Sequence, residues 1–216
     1  MENIIVAITG ASGVVYAQRL LQVLNESASG GFNVHLTVSE SATKVIEQEL
    51  DLRLSVDNFD VSRFLYIKHG ANLETNHIVY HRISDTGSPI ASGEFPVKAM
   101  IIVPCSMNTL STIANGIASN LIERAASVTL KEGRKLVLVP RETPLTAIHI
   151  ENMLKLVRAG ACMLPAMPGF YHNPKTIEDQ INFVVAKILG FLQIPASCGL
   201  TPYWLQALNT SFSDNS

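Results

Sequence analysis

Short apolar runs alternate along this chain with longer amphipathic segments, and this alternation constrains the fold more than any other feature. The runs are Asn3–Thr9, Asn33–Val38, Ala99–Val103 and Lys135–Val139. Runs that are apolar at almost every position are typical of strands covered on both faces. Each run is followed by small or polar residues and then by a helical pattern. The sequence therefore predicts an α/β fold: a Rossmann-like, doubly wound, mainly parallel sheet flanked by helices on both faces, in a single domain.

We expect residues 1–194 to form this domain and residues 195–216 to form an irregular tail that packs on a neighbouring subunit, where Trp204 would cover a site. Helices are expected over 107–117, from Asn120 to Lys131, over 144–158 and from Thr176 to about Leu192. Thr143 is expected to cap the third of these, with Pro144 as its first residue. Residues 51–90 are the least regular part, with a possible edge strand at Ile78–Ile83 and a Gly/Ser/Pro loop at 87–93.

The composition indicates extensive burial and weak overall charge. The chain is 47% hydrophobic and 16% charged, against about 25% charged in ordinary soluble domains, so we expect large subunit interfaces. A net charge of −2 gives no electrostatic argument for nucleic acid. No run reaches the roughly 18 apolar residues of a membrane span, and the N-terminus does not resemble a signal peptide. The chain is predicted to be soluble and cytoplasmic, with no membrane partner.

The three cysteines form no CxxC pair, and the six histidines lack metal-ligand spacing. We therefore expect neither disulfides nor a metal. Cys105 is expected to be a small buried residue, because a nucleophilic cysteine needs an activating base nearby.

A cation and a carboxylate, Arg141 and Glu142, follow directly after the apolar run Lys135–Val139. In open α/β sheets, ligands bind at the carboxyl ends of the strands, where helix N-termini offer free N–H groups. The pair therefore indicates an anionic ligand and proton transfer.

Two turns at strand ends are suited to a phosphate-bearing cofactor. Gly10–Gly13 allows backbone amides and the Ser12 hydroxyl to approach a ligand, and Pro104–Thr109 offers the hydroxyls of Ser106 and Thr109. The first turn reads G-x-x-G and not G-x-G-x-x-G, which disfavours NAD. Glu40 as a ribose-binding acid keeps NAD open, and a purely structural turn also remains open.

Two further places carry candidate ligand-binding side chains. Arg124 and Lys131 lie seven residues apart on a predicted helix, on a side that includes Val128, and this suggests an anion bound across a subunit boundary. Solvated charges, or pairing with Glu123 or Glu132, would explain them equally. Tyr171 lies in a Gly/Pro loop, where its phenol either reaches into a cleft or only packs.

Taken together, these segments resemble the flavin prenyltransferase family of the UbiX type, within the wider group of flavin-binding cysteine-decarboxylase-like proteins. The likeness covers about residues 3–194. The segments that carry it are Gly10–Gly13, Ala91–Gly93, Pro104–Ser106, Asn120–Ala126, Leu130–Glu132, Leu136–Pro144 and Pro165–Pro174.

The resemblance implies that reduced FMN is alkylated at N5 and C6 by dimethylallyl monophosphate, giving prenylated FMN. The product would serve a UbiD-type decarboxylase, for instance in ubiquinone biosynthesis or aromatic acid metabolism. The family requires no metal, and its members resemble homododecamers with active sites shared between subunits.

The resemblance also implies roles for individual residues. Glu142 would handle protons, with Lys131, Arg124, Tyr171 and Glu49 as further catalytic residues. Contacts to the prenyl phosphate would come from Arg124, Lys131, Tyr171 and Lys187. The cofactor-binding residues would be Gly10, Ala11, Ser12, Ser39, Ala91, Ser92, Gly93, Ser106, Met107, Asn108, Thr109 and Arg141, with no side-chain role assigned to Asn108.

The chemistry is compatible with these roles. Ionisation of an allylic phosphate needs cations on the departing oxygens and a water-poor pocket, and Arg141 favours the charged form of Glu142 for proton relay. Position 187 is a lysine where the family commonly has arginine, so a bidentate phosphate contact becomes a single-point contact. Two alternatives stay open: an FMN-dependent decarboxylase of a cysteinyl substrate, and a non-catalytic FMN-binding subunit.

Overall fold

The computed structural model describes residues 2–26, 32–65, 75 and 77–194. The predicted Trp204 cover and the tail lie outside these residues. The elements in chain order are β1 (Glu2–Ile8), α1 (Val14–Glu26), β2 (Phe32–Val38), α2 (Glu40–Leu50), α3 (Val61–Leu65), β3 (Ile78–His81), a 3-10 turn (Pro89–Ala91), β4 (Ala99–Cys105), α4 (Met107–Ala114), α5 (Leu121–Lys131), β5 (Lys135–Pro140), α6 (Ala147–Arg158), β6 (Cys162–Met163) and α7 (Ile177–Leu192).

The six strands form one sheet in the order β3-β2-β1-β4-β5-β6, and every neighbouring pair is parallel. Strands β2 and β3 therefore follow on one side of β1. The chain then crosses to the other side of β1, where β4, β5 and β6 are added in turn. Such a reversal leaves a crevice outside the carboxyl ends of the two central strands. The predicted doubly wound α/β fold is confirmed, and residues 78–81 form its edge strand.

Both faces of the sheet are covered, as the uninterrupted apolar runs predict. On β1, Ile4, Val6 and Ile8 pack into a core that includes buried residues of α1, α2 and α7. The alternate residues Ile5 and Ala7 pack into a second core with residues of α4, α5 and α6. Because successive side chains on a strand point to opposite faces, one apolar run supplies both cores.

Side-chain caps set the starts of the long helices. Asn120 accepts from the backbone N–H of Glu123 at 3.1 Å, at the predicted start of α5. Thr176 and Asp179 form a reciprocal capping box at the predicted start of α7. Each cap occupies an N–H group that the helix itself leaves unpaired.

The predicted start of α6 was wrong. Thr143 does not cap this helix, which begins three residues later at Ala147 with Thr146 as its N-cap. The Thr146 hydroxyl accepts from the N–H of His149, and His149 Nδ1 accepts from the N–H of Thr146, each at 3.3 Å. A reciprocal cap satisfies two donors where a lone threonine satisfies one, so residues 141–146 remain a loop between β5 and α6.

Within the described part of the chain, no helix is long and apolar enough to cross a membrane. The same residues contain no cluster of three or more His, Cys, Asp or Glu side chains arranged to hold a metal ion.

Candidate active site

Three strand-to-helix turns meet at the carboxyl edge of the central strands. The turn Gly10–Gly13 follows β1, Ser39 follows β2, and Ser106 follows β4. These strands are neighbours in the sheet, and the Ser39 N–H donates to the Ile8 carbonyl at 3.0 Å. The sheet topology therefore brings together predicted cofactor residues that are up to about a hundred positions apart in the sequence.

Thr9 joins two of these turns, and the sequence analysis did not single it out. Its hydroxyl donates to the Pro104 carbonyl at 2.8 Å and accepts from the Ser106 N–H at 2.7 Å. The Pro104 carbonyl and the Ser106 N–H belong to the neighbouring strand β4 and the turn after it, far along the chain from Thr9. Thr9 itself is almost fully buried. A buried hydroxyl with both functions satisfied holds two backbone segments at a set distance. A polar residue closing an apolar strand was the signal that could have identified it.

Two serines cap the helices that begin at this edge. Ser39 Oγ accepts from the Ala42 N–H at 3.1 Å, and Ser106 Oγ accepts from the Thr109 N–H at 3.2 Å. Ser106 Oγ also donates to Thr109 Oγ1 at 3.1 Å. A capping side chain satisfies only one or two of the four N–H groups at a helix start, so both helix ends can still donate to an anion. Met107 is buried beneath this turn, and Asn108 is exposed.

The β1 turn packs closely against the first turn of α2. A Cβ atom at Gly10 would lie 2.5 Å from Ser41 Cβ, which no side chain can occupy. The segments around Gly10 and Ser41 therefore pass each other without an intervening side chain. The hydroxyls of Ser39 and Ser106 and the two helix ends beside this turn are compatible with binding of a flavin mononucleotide.

Arg141 reaches this cluster from β5. Its Nε donates to the Ser12 carbonyl at 3.4 Å, so the side chain extends over the end of β4 to the β1 turn. Glu142 points elsewhere: its Oε1 accepts from the N–H of Thr143 at 3.1 Å. Both side chains are half-buried. We use the term strand-end cluster for Gly10–Gly13, Ser39, Ser106–Thr109 and Arg141.

Glu49 lies at the N-terminus of α1. Both carboxylate oxygens lie 3.0 Å from the Gly13 nitrogen, and Oε2 also accepts from the Val14 N–H at 3.0 Å. A carboxylate in this position is stabilised by the positive end of the helix. The pKa of the nearby Tyr16 is raised, first by burial and then by the charge of Glu49.

A second group of predicted residues lines a pocket of about 370 Å³ beside α5. Arg124, Val128 and Lys131 recur at helical spacing and form one wall, which places both cations on the same side. The loop 86–93 forms the opposite wall. We call this the cationic pocket; its lining residues are Thr86, Gly87, Ser88, Ala91, Ser92, Gly93, Arg124, Val128 and Lys131. Residues 86–88 were not among the predicted site residues, although 87 and 88 belong to the predicted Gly/Ser/Pro loop.

Hydrogen bonds from a side chain to backbone carbonyls hold this loop against the end of α5. The Arg134 guanidinium donates to the Gly93 and Phe95 carbonyls at 2.5 and 2.8 Å. A Cβ atom at Gly93 would lie 2.5 Å from a carboxylate oxygen of Glu132. Lys131 Nζ pairs with that same oxygen at 3.1 Å, so the intrahelical pairing left open above is observed for Lys131. Arg124 has no ion pair with any described residue.

Tyr171 and Lys187 form a third group, with Phe183 between them. Lys187 Nζ lies 5.4 Å from the centre of the Phe183 ring, and the Tyr171 ring meets the same ring edge-on at 5.6 Å. Tyr171 is nevertheless 67% exposed. Tyr171 therefore both packs on Phe183 and leaves surface open to a ligand or a neighbouring chain.

The single chain thus gathers the predicted residues in three places and does not merge them. No residue of the strand-end cluster is among those that line the cationic pocket. Cys105 is fully buried, which raises the pKa of its thiol to about 12. A thiol with this pKa is not a nucleophile near neutral pH, in agreement with its expected role as a small buried residue.

Two histidines lie behind the loop of the cationic pocket. His81 Nδ1 is 2.8 Å from Ser88 Oγ, and His81 Nε2 is 2.8 Å from His35 Nδ1. Burial, with a contribution from His81, lowers the pKa of His35 to about 4. Burial likewise lowers the pKa of His81, while the charge of Asp85 acts in the opposite direction. Both imidazoles are therefore neutral at neutral pH.

This depressed pKa predicts that the free energy of unfolding falls on acidification. His35 has a pKa of about 4 when folded and 6.5 as an isolated group, so between these values the unfolded chain binds more protons. The contribution is fully present above about pH 6.5, is lost towards pH 4, and amounts to about 3 kcal/mol. Chemical denaturation at a series of pH values should show a shallower slope for His35→Gln than for the unchanged protein. His77→Gln, at a half-exposed histidine outside this pair, should keep the original slope, and equal slopes for all three would contradict the prediction.

Comparison with known proteins identifies the family. The Flavoprotein family model matches residues 1–192. The flavin prenyltransferase UbiX of Halalkalibacterium halodurans is 47% identical over 189 residues, which are 88% of this chain and 87% of that protein.

Two solved structures share the fold and much of the sequence. One is a dodecameric FMN-dependent UbiX-like decarboxylase from Escherichia coli O157:H7, 41% identical with a TM-score of 0.78, covering 90% of this chain and 96% of that one. The other is AnUbiX (PadA1) in complex with FMN and dimethylallyl pyrophosphate, 37% identical with a TM-score of 0.77, covering 90% and 94% of the two chains.

Proposed function

This chain belongs to the Flavoprotein family, and we infer that within the family it is a flavin prenyltransferase. It transfers a dimethylallyl group from a dimethylallyl phosphate ester to reduced FMN, producing prenylated FMN. The observation that carries this function is that one chain holds both a hydroxyl-rich strand-end cluster and a pocket with two cations. Transfer from a phosphate ester to a flavin needs both a flavin site and cations for the departing phosphate.

The strand-end cluster is the proposed FMN site. The helix ends behind Ser39 and Ser106 donate N–H groups, and Arg141 adds a positive charge beside Ser12. These are the donors that a phosphate and a polar ring edge need. Ala91–Gly93, on the loop of the cationic pocket, is proposed to line the isoalloxazine ring.

Glu142 is the proposed proton acceptor. When bound, reduced flavin would supply nucleophilic N5 and C6. N5 would lose a proton as its bond to the prenyl group forms, and C6 would lose one as the prenyl double bond gains one. Glu142 lies at the end of β5, half-buried, next to Arg141 and with one oxygen held by the Thr143 N–H. A carboxylate oriented by one hydrogen bond keeps its remaining lone pairs for a proton.

Arg124 and Lys131 are the proposed phosphate-binding residues. Departure of an allylic phosphate builds negative charge on its oxygens, and fixed cations stabilise that charge most when water is excluded. Lys131 pairs with Glu132 at 3.1 Å, and its ammonium group has further N–H donors that a phosphate can accept from. Tyr171 and Lys187 are proposed to add contacts to the same phosphate, and Glu49 to lie near it.

The deciding experiment is an anaerobic incubation of the protein with reduced FMN and dimethylallyl monophosphate, followed by mass spectrometry of the flavin. We expect the flavin mass to increase by one dimethylallyl unit. A parallel incubation with dimethylallyl pyrophosphate tests which ester is preferred. An unshifted flavin mass with both esters would remove the transferase function and leave either a decarboxylase of a cysteinyl substrate or a non-catalytic FMN-binding subunit.

We further propose that the active chain is a homo-oligomer, of the dodecameric kind seen in the Escherichia coli relative. A stripe on α6 supports self-association, because Ile150, Leu154 and Val157 recur at helical spacing and are each about half exposed. Ile148, Phe170 and Ile177 are more exposed still. An apolar surface of this extent is typical of subunit interfaces.

Charged residues on this stripe should disrupt the assembly. We expect Ile150→Glu combined with Leu154→Glu to shift the protein to smaller species and to lower prenyl transfer, because burying two unpaired carboxylates is costly. Size-exclusion chromatography with light scattering measures the mass. Glu151→Gln, at an exposed position on the same helix, is the control, and an unchanged mass for the double variant would place the interface elsewhere.

Three proposals complete this assignment. Residues 1–194 form the catalytic domain and residues 195–216 a tail that packs on a neighbouring subunit. The product is received by a UbiD-type decarboxylase, in ubiquinone or aromatic acid metabolism. The protein acts in the cytoplasm, where thiols stay reduced, in keeping with the free thiols of Cys105 and Cys162.

A further inference from the structure

The hydrogen bonds behind the cationic pocket have a defined direction. Asn3 Nδ2 donates to the Pro96 carbonyl at 2.8 Å, so Asn3 Oδ1 is the acceptor that faces Asn33 Nδ2 at 3.2 Å and His35 Nε2 at 3.3 Å. His35 must therefore carry its proton on Nε2, which leaves its Nδ1 as an acceptor.

The direction continues from His35 to the pocket. His81 has to donate from Nε2 to His35 Nδ1, and its own Nδ1 must then accept from the Ser88 hydroxyl. With both imidazoles neutral, the one hydroxyl hydrogen of Ser88 points into the protein. Ser88 lines the cationic pocket but in this state has only lone pairs to offer there.

One added proton reverses this arrangement wherever it binds. If His81 is protonated, its Nδ1–H donates to Ser88 Oγ. If the proton resides on His35 Nδ1, it is shared with His81 Nε2, and His81 again must donate from Nδ1 to Ser88. In both cases every bond of the chain is kept, and the Ser88 hydroxyl hydrogen is released to turn towards the pocket.

From this geometry we propose that Ser88 is an anion-binding residue of the cationic pocket, switched on by uptake of one proton at the His35–His81 pair. His81 is its positioning residue. The proposal rests on the phosphate role of the pocket given above. An anion bound between Arg124 and Lys131 favours the state in which Ser88 donates to it, and therefore favours the proton. The only chemical change is the uptake of one proton from solvent by an imidazole nitrogen.

Charged groups near this chain of hydrogen bonds include the Arg134 guanidinium, which donates to the carbonyl of Phe95, whose ring packs on His35. Asp85 is the carboxylate that acts on His81 and favours its protonation. Across the pocket, Glu132 pairs with Lys131 and is a second group that could take up a proton when an anion displaces it. The test must therefore separate the histidine pair from Glu132.

Isothermal titration with sulfate provides that test, because sulfate is a dianion that does not itself titrate between pH 6 and 8. Heats measured in two buffers of different ionisation enthalpy give the number of protons taken up. At pH 6 we expect uptake of a substantial fraction of one proton and none at pH 8. Sulfate affinity should rise as the pH falls from 8 to 6, by at most about tenfold per unit for one linked proton.

Two substitutions test the assignment directly. Ser88→Ala and His81→Phe should each abolish the uptake and flatten the pH dependence of sulfate affinity. Glu132→Gln should leave both as they are. If His81→Phe fails to fold, Ser88→Ala still decides, since it keeps both histidines.

The proposal is overturned if the unchanged protein binds sulfate without proton uptake, if Ser88→Ala retains the uptake, or if sulfate does not bind at tens of millimolar. The flavin mass assay on the same preparation keeps the two conclusions apart. Prenyl transfer without linked proton uptake would remove this inference and leave the proposed function in place.

Discussion

Glu142→Gln is expected to bind FMN as the unchanged protein does but to form prenylated flavin about 10²- to 10⁴-fold more slowly, the usual loss when a general base is removed. Glutamine keeps the shape of the side chain and can still accept from the Thr143 N–H, as Glu142 does at 3.1 Å. It cannot take a proton from the flavin. Anaerobic single-turnover reactions followed by flavin absorbance and mass spectrometry measure the rate, and flavin titration measures binding.

Glu40→Gln is the matched control. Glu40 is an exposed carboxylate in the first turn of α2, at the same edge of the sheet, so it reports the effect of lost negative charge without a lost base. The control should transfer the prenyl group at nearly the original rate. Normal turnover by Glu142→Gln would mean that another group accepts the proton from the flavin. Equal losses in both variants would mean that the negative charge at this edge of the sheet matters, and not a specific proton acceptor.

The second large effect concerns sites shared between subunits. The strand-end cluster with Glu142 and the cationic pocket with Lys131 are separate in one chain, so we expect each active site to combine the first from one subunit with the second from its neighbour. Glu142→Gln and Lys131→Met should each be nearly inactive alone. Co-expressed at equal levels, they should regain roughly a quarter of the original activity, since random mixing pairs two intact halves at about one site in four.

A second mixture makes this result unambiguous. A chain that carries both Glu142→Gln and Lys131→Met, co-expressed with the unchanged chain, should retain about a quarter of the activity if the halves come from different subunits. It should retain about half if they come from the same subunit. No recovery in the first mixture together with half activity in the second would show that one chain supplies the complete site.

The sheet was predictable from sequence because its signal is local. Residues 135–139 are apolar at almost every position, and a run that short is buried on both faces only in a strand between helices. The caps at Asn120 and Thr176 were predictable for the same reason, since a cap and its helix are adjacent in the chain. At Thr143 the local signal was misleading, because a second threonine three residues later offered a better partner in His149.

The candidate site was predictable only where one element holds several of its members. Arg124, Val128 and Lys131 share a helix, and their common side could be read from their spacing. Ser88 and His81 could not be linked to this pocket, since their contact depends on a loop with no periodic pattern. The contact of His81 with His35 depends on the register between β2 and β3. The role of Thr9 could not be predicted either, because its partner Pro104 lies on a strand that follows more than ninety residues later in the sequence.

Glu49 has a consequence for which nucleotides this fold can admit. The strand order 3-2-1-4-5-6 is that of dinucleotide-binding domains, which hold a pyrophosphate at the N-terminus of the first helix. Here the amides of Gly13 and Val14 at that position are already donating to the chain's own carboxylate. A pyrophosphate there would have to displace a covalently tethered anion and would then face its negative charge. We therefore expect Glu49 to disfavour a dinucleotide at the start of α1, on a scaffold otherwise suited to NAD or FAD.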